Sequence, residues 1–253
     1  MKRIFVLIII VAALVFTYFK FNDVEVNFNG DDLISISNEY DEGELIKKKL
    51  NLKDFSSLDL IANVKIELIQ DKEQKVILYY SENIEDKFKI KVINSVLKLR
   101  VDNDGWLTSN HNYKLKLVIY TPNINKIKNG GACSVSSKDI FKTKELKIYN
   151  GGALSFKMKL DIKRFFIDCS GASKFNLSGK AEYVKINCSG AAKYSAYDMI
   201  VKKMTLNSSG ASSFNVNVSE SLNGSVDGIS VVKYKGSPDM DIDCSGLSKI
   251  SPY

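Results

Sequence analysis

Four cysteines, a single histidine and a thin scatter of carboxylates are where this chain could hold chemistry. Cys169, Cys188 and Cys244 each stand two residues before a glycine, and Cys133 stands two after one. On stacked strands, thiols at that recurring position would lie about 4.8 Å apart. That separation suits a disulfide, although parallel Cβ vectors would strain it. Two states stay open, buried free thiols or a Cys169–Cys188 bridge. The first is expected, because Asn129, Asn150, Ser208 and Val226 complete a small-residue, inward-facing column. A zinc site is not expected, since the spacing is a repeat length and His111 is the only histidine.

Glycan cleavage needs paired carboxylates or a carboxylate–arginine set. Asp168, Asp227, Asp241 and Asp243 form no such pair by spacing, and Arg164 is the one arginine among the repeats. The chain is therefore not expected to be an enzyme, and neither catalytic residues, metal nor cofactor is expected. Lys174, Lys193, Ser213 and Lys249 share the position three after the glycine and are the candidate ligand contacts. An ordinary solvated ladder would read the same way.

What would position these residues is a repeat. Gly131, Gly152, Gly171, Gly190, Gly210, Gly228 and Gly246 are spaced 21, 19, 19, 20, 18 and 18 residues apart. Four residues before them stand Ile127, Ile148, Ile167, Ile186, Leu206, Gly224 and Ile242. Six before stand Asn125, Leu146, Phe165, Val184, Met204, Leu222 and Met240. Four after stand Val135, Phe156, Phe175, Tyr194, Phe214, Val232 and Ile250. Between these columns lie mostly Lys, Asp, Asn and Ser, so the local period is two and each copy carries two short strands with one inward face. One copy cannot bury that face alone; stacked copies turn each column into a ladder. Helical repeats run to about 33–34 residues and lack this alternation. The fold expected is all-β, a parallel β-solenoid of about seven Gly-turn rungs. Glycine is expected at the corner for its tolerance of positive φ. The sixth copy, with Gly224 in the Ile column, reads as a distorted rung.

The 253 residues are 45% apolar and carry a formal net charge of +7. The lysines alternate with apolar residues, as in Lys-Leu-Lys-Leu from Lys114, which is the pattern of a solvated sheet face. No basic run or aromatic–basic recognition motif stands out, so nucleic acid is not an expected partner. A weak affinity for acidic glycans or anionic lipid is compatible with the charge.

Lys2 and Arg3 precede an apolar run from Ile4 to Phe16, the pattern of an export signal. Residues 1–20 are thus a signal peptide or, if uncleaved, an N-terminal membrane anchor; both remain open. Residues 21–49 read as a linker with one strand near Leu33–Ile36. Residues 50–253 form the folded domain, with a non-repeat β cap over 50–122 and the Gly-turn repeats over 123–253. In the cap, strands are expected at Leu58–Gln70, Lys75–Tyr80, Phe88–Ile93, Ser95–Val101 and Lys114–Tyr120, with a turn at Asn103-Asp104-Gly105.

Several motifs in order carry a family resemblance. Asp54-Phe55-Ser56-Ser57-Leu58 leads into Val64–Gln70. Then come Leu97-Lys98-Leu99, the strand ending Tyr120-Thr121-Pro122, the Gly-Ala repeats, and Val232–Pro238 before a last Cys-Ser-Gly rung. This order resembles the head GIN domain family of putative autotransporter adhesins over about Leu50 to Ile250. The resemblance implies a right-handed parallel β-helix in an envelope protein, and it brings no catalytic residues with it. The chain lacks a lipoprotein cysteine after its apolar run. The expected role is an exported, non-catalytic binding or adhesion module in the periplasm or at the cell surface, contacting glycans or other envelope ligands. The alternatives are a periplasmic scaffold, as a single chain or a homo-oligomer, and a polysaccharide-active enzyme.

Overall fold

A computed structural model describes residues 45–101 and 113–253. The expected signal or anchor segment, the linker before residue 45, the Asn103-Asp104-Gly105 turn and His111 lie outside the described residues. Among the described residues no helix is long and apolar enough to cross a membrane.

The strands are β1 (Ile46–Leu50), β2 (Ser57–Ile61), β3 (Asn63–Gln70), β4 (Lys75–Tyr80), β5 (Phe88–Ile93), β6 (Val96–Val101), β7 (Leu115–Thr121) and β8 (Lys126–Asn129). The repeats follow as β9 (Ala132–Asn150), β10 (Ala153–Cys169), β11 (Ala172–Cys188), β12 (Ala191–Ser208), β13 (Ala211–Val226), β14 (Ile229–Lys235), β15 (Asp239–Cys244) and β16 (Lys249–Pro252). All repeat strands pair in parallel with their neighbours, glycine corner beside glycine corner. The protein is the expected parallel β-solenoid.

Three details differ from the sequence reading. The two short strands expected per copy are joined in β9 to β13, which run from one glycine corner to the next. They bend mid-rung at register shifts such as Lys157/Lys159 and Asn176/Ser178. The single strand expected over Leu58–Gln70 is split at Ala62 into β2 and β3. There the chain turns a corner like those of the repeats, beneath Gly131. Finally, Ile46–Leu50 is a strand, although the linker was expected to reach residue 49; it pairs antiparallel with β4.

The N-terminal segment both extends and closes the stack. β2, β3, β6 and β7 add parallel rungs, whereas β4 and β5 pair antiparallel at the end. Asn94 and Ser95, both at positive φ, make the two-residue turn between β5 and β6. Outermost β1 carries Lys47, Lys48 and Lys49. At the other end β15 alternates Asp239, Asp241 and Asp243 with Met240 and Ile242. Charge on an edge strand discourages unselective pairing, and here the two ends carry opposite signs.

The interior is made of the predicted columns. Ile127, Ile148, Ile167, Ile186 and Leu206 are buried, as are Val135, Phe156, Phe175, Tyr194, Phe214 and Val232. The aromatic members sit in register, with ring centroids 5.7 Å (Phe156–Phe175), 5.7 Å (Phe175–Tyr194) and 6.3 Å (Tyr194–Phe214) apart. Tyr194 is the odd member: its hydroxyl is buried and has no hydrogen-bond partner. Burial accordingly pushes its pKa up. A buried polar group without a partner destabilises the fold by its desolvation. Tyr194→Phe is therefore expected to raise unfolding stability by about 1 kcal/mol, read as a higher urea midpoint at unchanged slope.

The corners corrected the expectation about glycine. Only Gly228 and Gly246 of the seven corner glycines have positive φ, at 85° and 69°. Gly131, Gly152, Gly171, Gly190 and Gly210 need glycine for room instead. A Cβ on Gly152, Gly171, Gly190 or Gly210 would overlap the corner-glycine carbonyl oxygen of the rung before. The sixth copy is distorted as expected, with Gly224 at φ 132°.

Buried amides brace the first corners. The Asn129 side-chain amide donates to Asn150 Oδ1 (2.8 Å) and to the carbonyls of Gly131 and Ala153 (both 3.0 Å). Asn150 repeats the pattern one rung on, donating to Gly152 O (3.0 Å), Ala172 O (3.1 Å) and Ser173 Oγ (2.9 Å). Later rungs replace the amide with Cys169, Cys188 and Ser208, which ask for less hydrogen bonding at the same place.

Candidate functional site

The outside of the stack has a concave face along the middles of the long strands. A groove of about 1350 Å³ follows it from Pro122 and Asn123 through the middles of β9, β10, β11 and β12. At its base Thr143, Ile162 and Ala181 are successive partners, and Ile162 and Ala181 are buried. Its walls are ladders. Lys142, Asp161, Lys180 and Ile200 are successive partners across the rungs. Beside them, between registered pairs, run Lys144, Lys163, Glu182 and Lys202.

Seven lysines and three carboxylates line the groove. Two of the carboxylates are already engaged. Glu145 pairs with Lys147 (2.8 Å) and Arg164 (3.0 Å), and Asp161 with Lys180 (3.4 Å). The hydrogen bond from Lys147, helped by the nearby Arg164 charge, holds the Glu145 carboxyl below the usual carboxylate range. Lys142, Lys144, Lys163 and Lys202 form no ion pair among the described residues. One flank adds aromatic surface. Lys126 lies 5.4 Å over Tyr149, Lys147 lies 5.6 Å over Phe166, and Phe166 meets Tyr183 edge-on at 6.0 Å. The arrangement can hold anionic groups in a row.

The residues singled out in the sequence lie on another face. Lys174, Lys193 and Ser213 stack on adjacent rungs, with Ser155 before them; Lys249 follows after an intervening Val231. They sit on the post-glycine face and do not line the groove. The lysines that do were missed for an identifiable reason. Lys144, Lys163, Glu182 and Lys202 each stand eight residues before the next glycine. Measured from the preceding glycine their offsets drift with rung length, and at eight residues before the next glycine they lie beyond the apolar columns at four and six.

The remaining chemical candidates are dispersed. Asp168 and Asp227 are three rungs apart, about 14 Å at the strand spacing, wider than the carboxylate pair of a glycosidase. Asp227 accepts a hydrogen bond from the Ser245 hydroxyl. Asp241 and Asp243 lie on β15. Among the described residues no group of His, Cys, Asp and Glu could hold a metal ion.

Cys169 and Cys188 are directly opposite each other on β10 and β11, and the four cysteines are free in this structure. Parallel side chains on successive rungs oppose the dihedral a disulfide requires. Cys188 instead donates to Gly190 O (3.8 Å) and lies 3.4 Å from Ser212 Oγ. Burial pushes the Cys133 thiol up and the Cys169 thiol up to about 12. A thiol that ionises later in the native state than in the unfolded chain favours folding at neutral pH. That contribution is lost as pH climbs from about 9 towards 12. In the folded protein, iodoacetamide is expected to modify exposed Cys244 alone. Cys133, Cys169 and Cys188 should react only after denaturation, as peptide mass mapping would show.

Comparison with known proteins places this geometry. Residues 54–238 match the family described as putative auto-transporter adhesin, head GIN domain. No curated protein matches the chain. Among solved structures, a putative adhesin from Bacteroides fragilis superposes with a TM-score of 0.74 at 22% identity, covering 83% of this chain and 97% of that one. A putative adhesin from Parabacteroides merdae gives a TM-score of 0.64 at 16% identity, covering 83% and 97%. A putative lipid binding protein from Parabacteroides distasonis gives 0.54 at 16% identity, also covering 83% and 97%. At these identities the likeness is one of fold.

Proposed function

The chain belongs to the head GIN domain family, and from that premise we propose that it is an exported, non-catalytic binding module of the cell envelope, acting in adhesion or ligand capture. The observation that carries this reading is the contrast between inside and outside. The interior is filled by ladders of aliphatic and aromatic side chains. The outer surface repeats its polar and charged residues rung by rung and opens into one long external groove. A rigid stack of this kind holds several weak contacts at fixed spacing, which suits an extended ligand. On this reading residues 1–20 export or anchor the chain, residues 21–45 space it from the membrane, and residues 46–253 do the binding.

The test is retention of isolated envelope material and a polysaccharide panel on the immobilised full-length protein, with reducing ends assayed in the same wells. Retention without release of reducing ends is expected. Release of reducing ends would overturn the non-catalytic reading, and retention of nothing would overturn the binding role.

A scaffolding role is the second reading. It is favoured by the opposite charges of the terminal edges, Lys47–Lys49 on β1 and Asp239, Asp241 and Asp243 on β15. It predicts salt-sensitive, end-to-end self-association in sedimentation velocity.

A further inference from the structure

Building on the binding role proposed above, we infer that the mid-rung groove is a site for a linear anionic polysaccharide, bearing uronate or sulfate groups, laid along the solenoid axis. Lys144, Lys163 and Lys202 supply the principal charges. Like charges directly opposite on paired strands destabilise each other. Lys144 and Lys163 hold equivalent places on β9 and β10, between the registered pairs Thr143–Ile162 and Glu145–Arg164, and neither forms an ion pair with a carboxylate among the described residues. The acids nearby do not answer this need. Glu145 is taken by Lys147 and Arg164, and Asp161 by Lys180. Glu182 alone interrupts the column between Lys163 and Lys202. A ligand with anionic groups at intervals would neutralise the row and release its counter-ions.

The shape narrows the class. Successive lysines in the column recur at about 4.8 Å or twice that, the strand spacing and its double. A polymer can place charges at such intervals, whereas a single small anion would engage one or two. Tyr149, exposed on the groove lining beneath Lys126, adds ring surface that suits the apolar face of a sugar better than free phosphate or sulfate.

The experiment uses the purified full-length protein and four probes: polygalacturonate, heparin, neutral dextran, and vesicles containing phosphatidylglycerol. Three forms are compared: the parent, Lys144→Glu/Lys163→Glu in the groove, and Lys193→Glu/Lys249→Glu on the other face. The two variants change net charge equally, and unchanged melting midpoints check their folding. Lys144→Gln/Lys163→Gln repeats the test without introducing acid. The expected result is parent binding to polygalacturonate or heparin but not dextran, weakened about tenfold or more by the groove variants and less than about twofold by the control. Equal losses in both variants would reduce the effect to net charge and overturn the site. So would loss confined to the Lys193/Lys249 variant, or groove-dependent binding of vesicles alone. If the groove variants still retain envelope material as the parent does, this site falls while the binding role stands.

Discussion

Gly152→Ala is expected to destabilise the solenoid by about 3 kcal/mol or more, while Gly151→Ala, one residue away, changes stability by less than about 0.5 kcal/mol. The contrast comes from the corner. A Cβ on Gly152 would overlap the Gly131 carbonyl oxygen and lie 2.9 Å from the Gly130 carbonyl carbon. These are backbone atoms of a stacked rung, and no rotamer change removes them. A Cβ on Gly151 would meet only Ser170 Oγ, at 3.9 Å. The corner is also hydrogen-bonded through the rung, Ala153 N–H to Gly131 O at 2.9 Å and Ala172 N–H to Gly152 O at 3.0 Å. Relieving the clash would stretch both bonds. Neither glycine has positive φ, so conformational preference cannot mimic the difference. Urea denaturation of the two variants checks it, and equal effects would contradict the close-approach account.

Phe175→Ala carries the second large effect, a loss of about 3–5 kcal/mol. Phe175 is buried between Phe156 and Tyr194, with both ring centroids at 5.7 Å. Its removal opens a void in the middle of a column, where rungs on both sides are held in register and cannot collapse. The same truncation at Ile250, half-buried on the last strand, should be much milder. Calorimetry of the two variants would distinguish a ladder that supports the whole stack from one that contributes rung by rung.

Much of the architecture was legible because a solenoid writes its register into the sequence at constant intervals. The glycine positions located the corners, and the residues four and six before them, and four after, located ladders that are buried through the middle rungs, while Met240 at the last rung is exposed. What escaped did so for physical reasons. The motive for glycine was misread because a composition column shows that no side chain is tolerated without showing whether φ or a neighbouring carbonyl forbids it. The boundary at Ala62 was hidden because alanine is small enough to form a corner without looking like one. β1 was lost in a lysine-rich stretch, since an edge strand keeps few apolar residues. The groove was obscured because rung lengths vary before the mid-strand bend, where register shifts absorb extra residues. Only an alignment on the following glycine brings Lys144, Lys163 and Lys202 into one column. That concavity, unlike the columns, depends on tertiary shape, which alternation cannot encode.

The central claim, an envelope-displayed binding module, is tested most directly by protease shaving of intact cells. The solenoid is followed with antibody and a periplasmic protein serves as control. The account predicts that the solenoid signal is removed from intact cells while the control survives. Protection until the outer membrane is broken would contradict it and leave the periplasmic scaffold as the function of the fold.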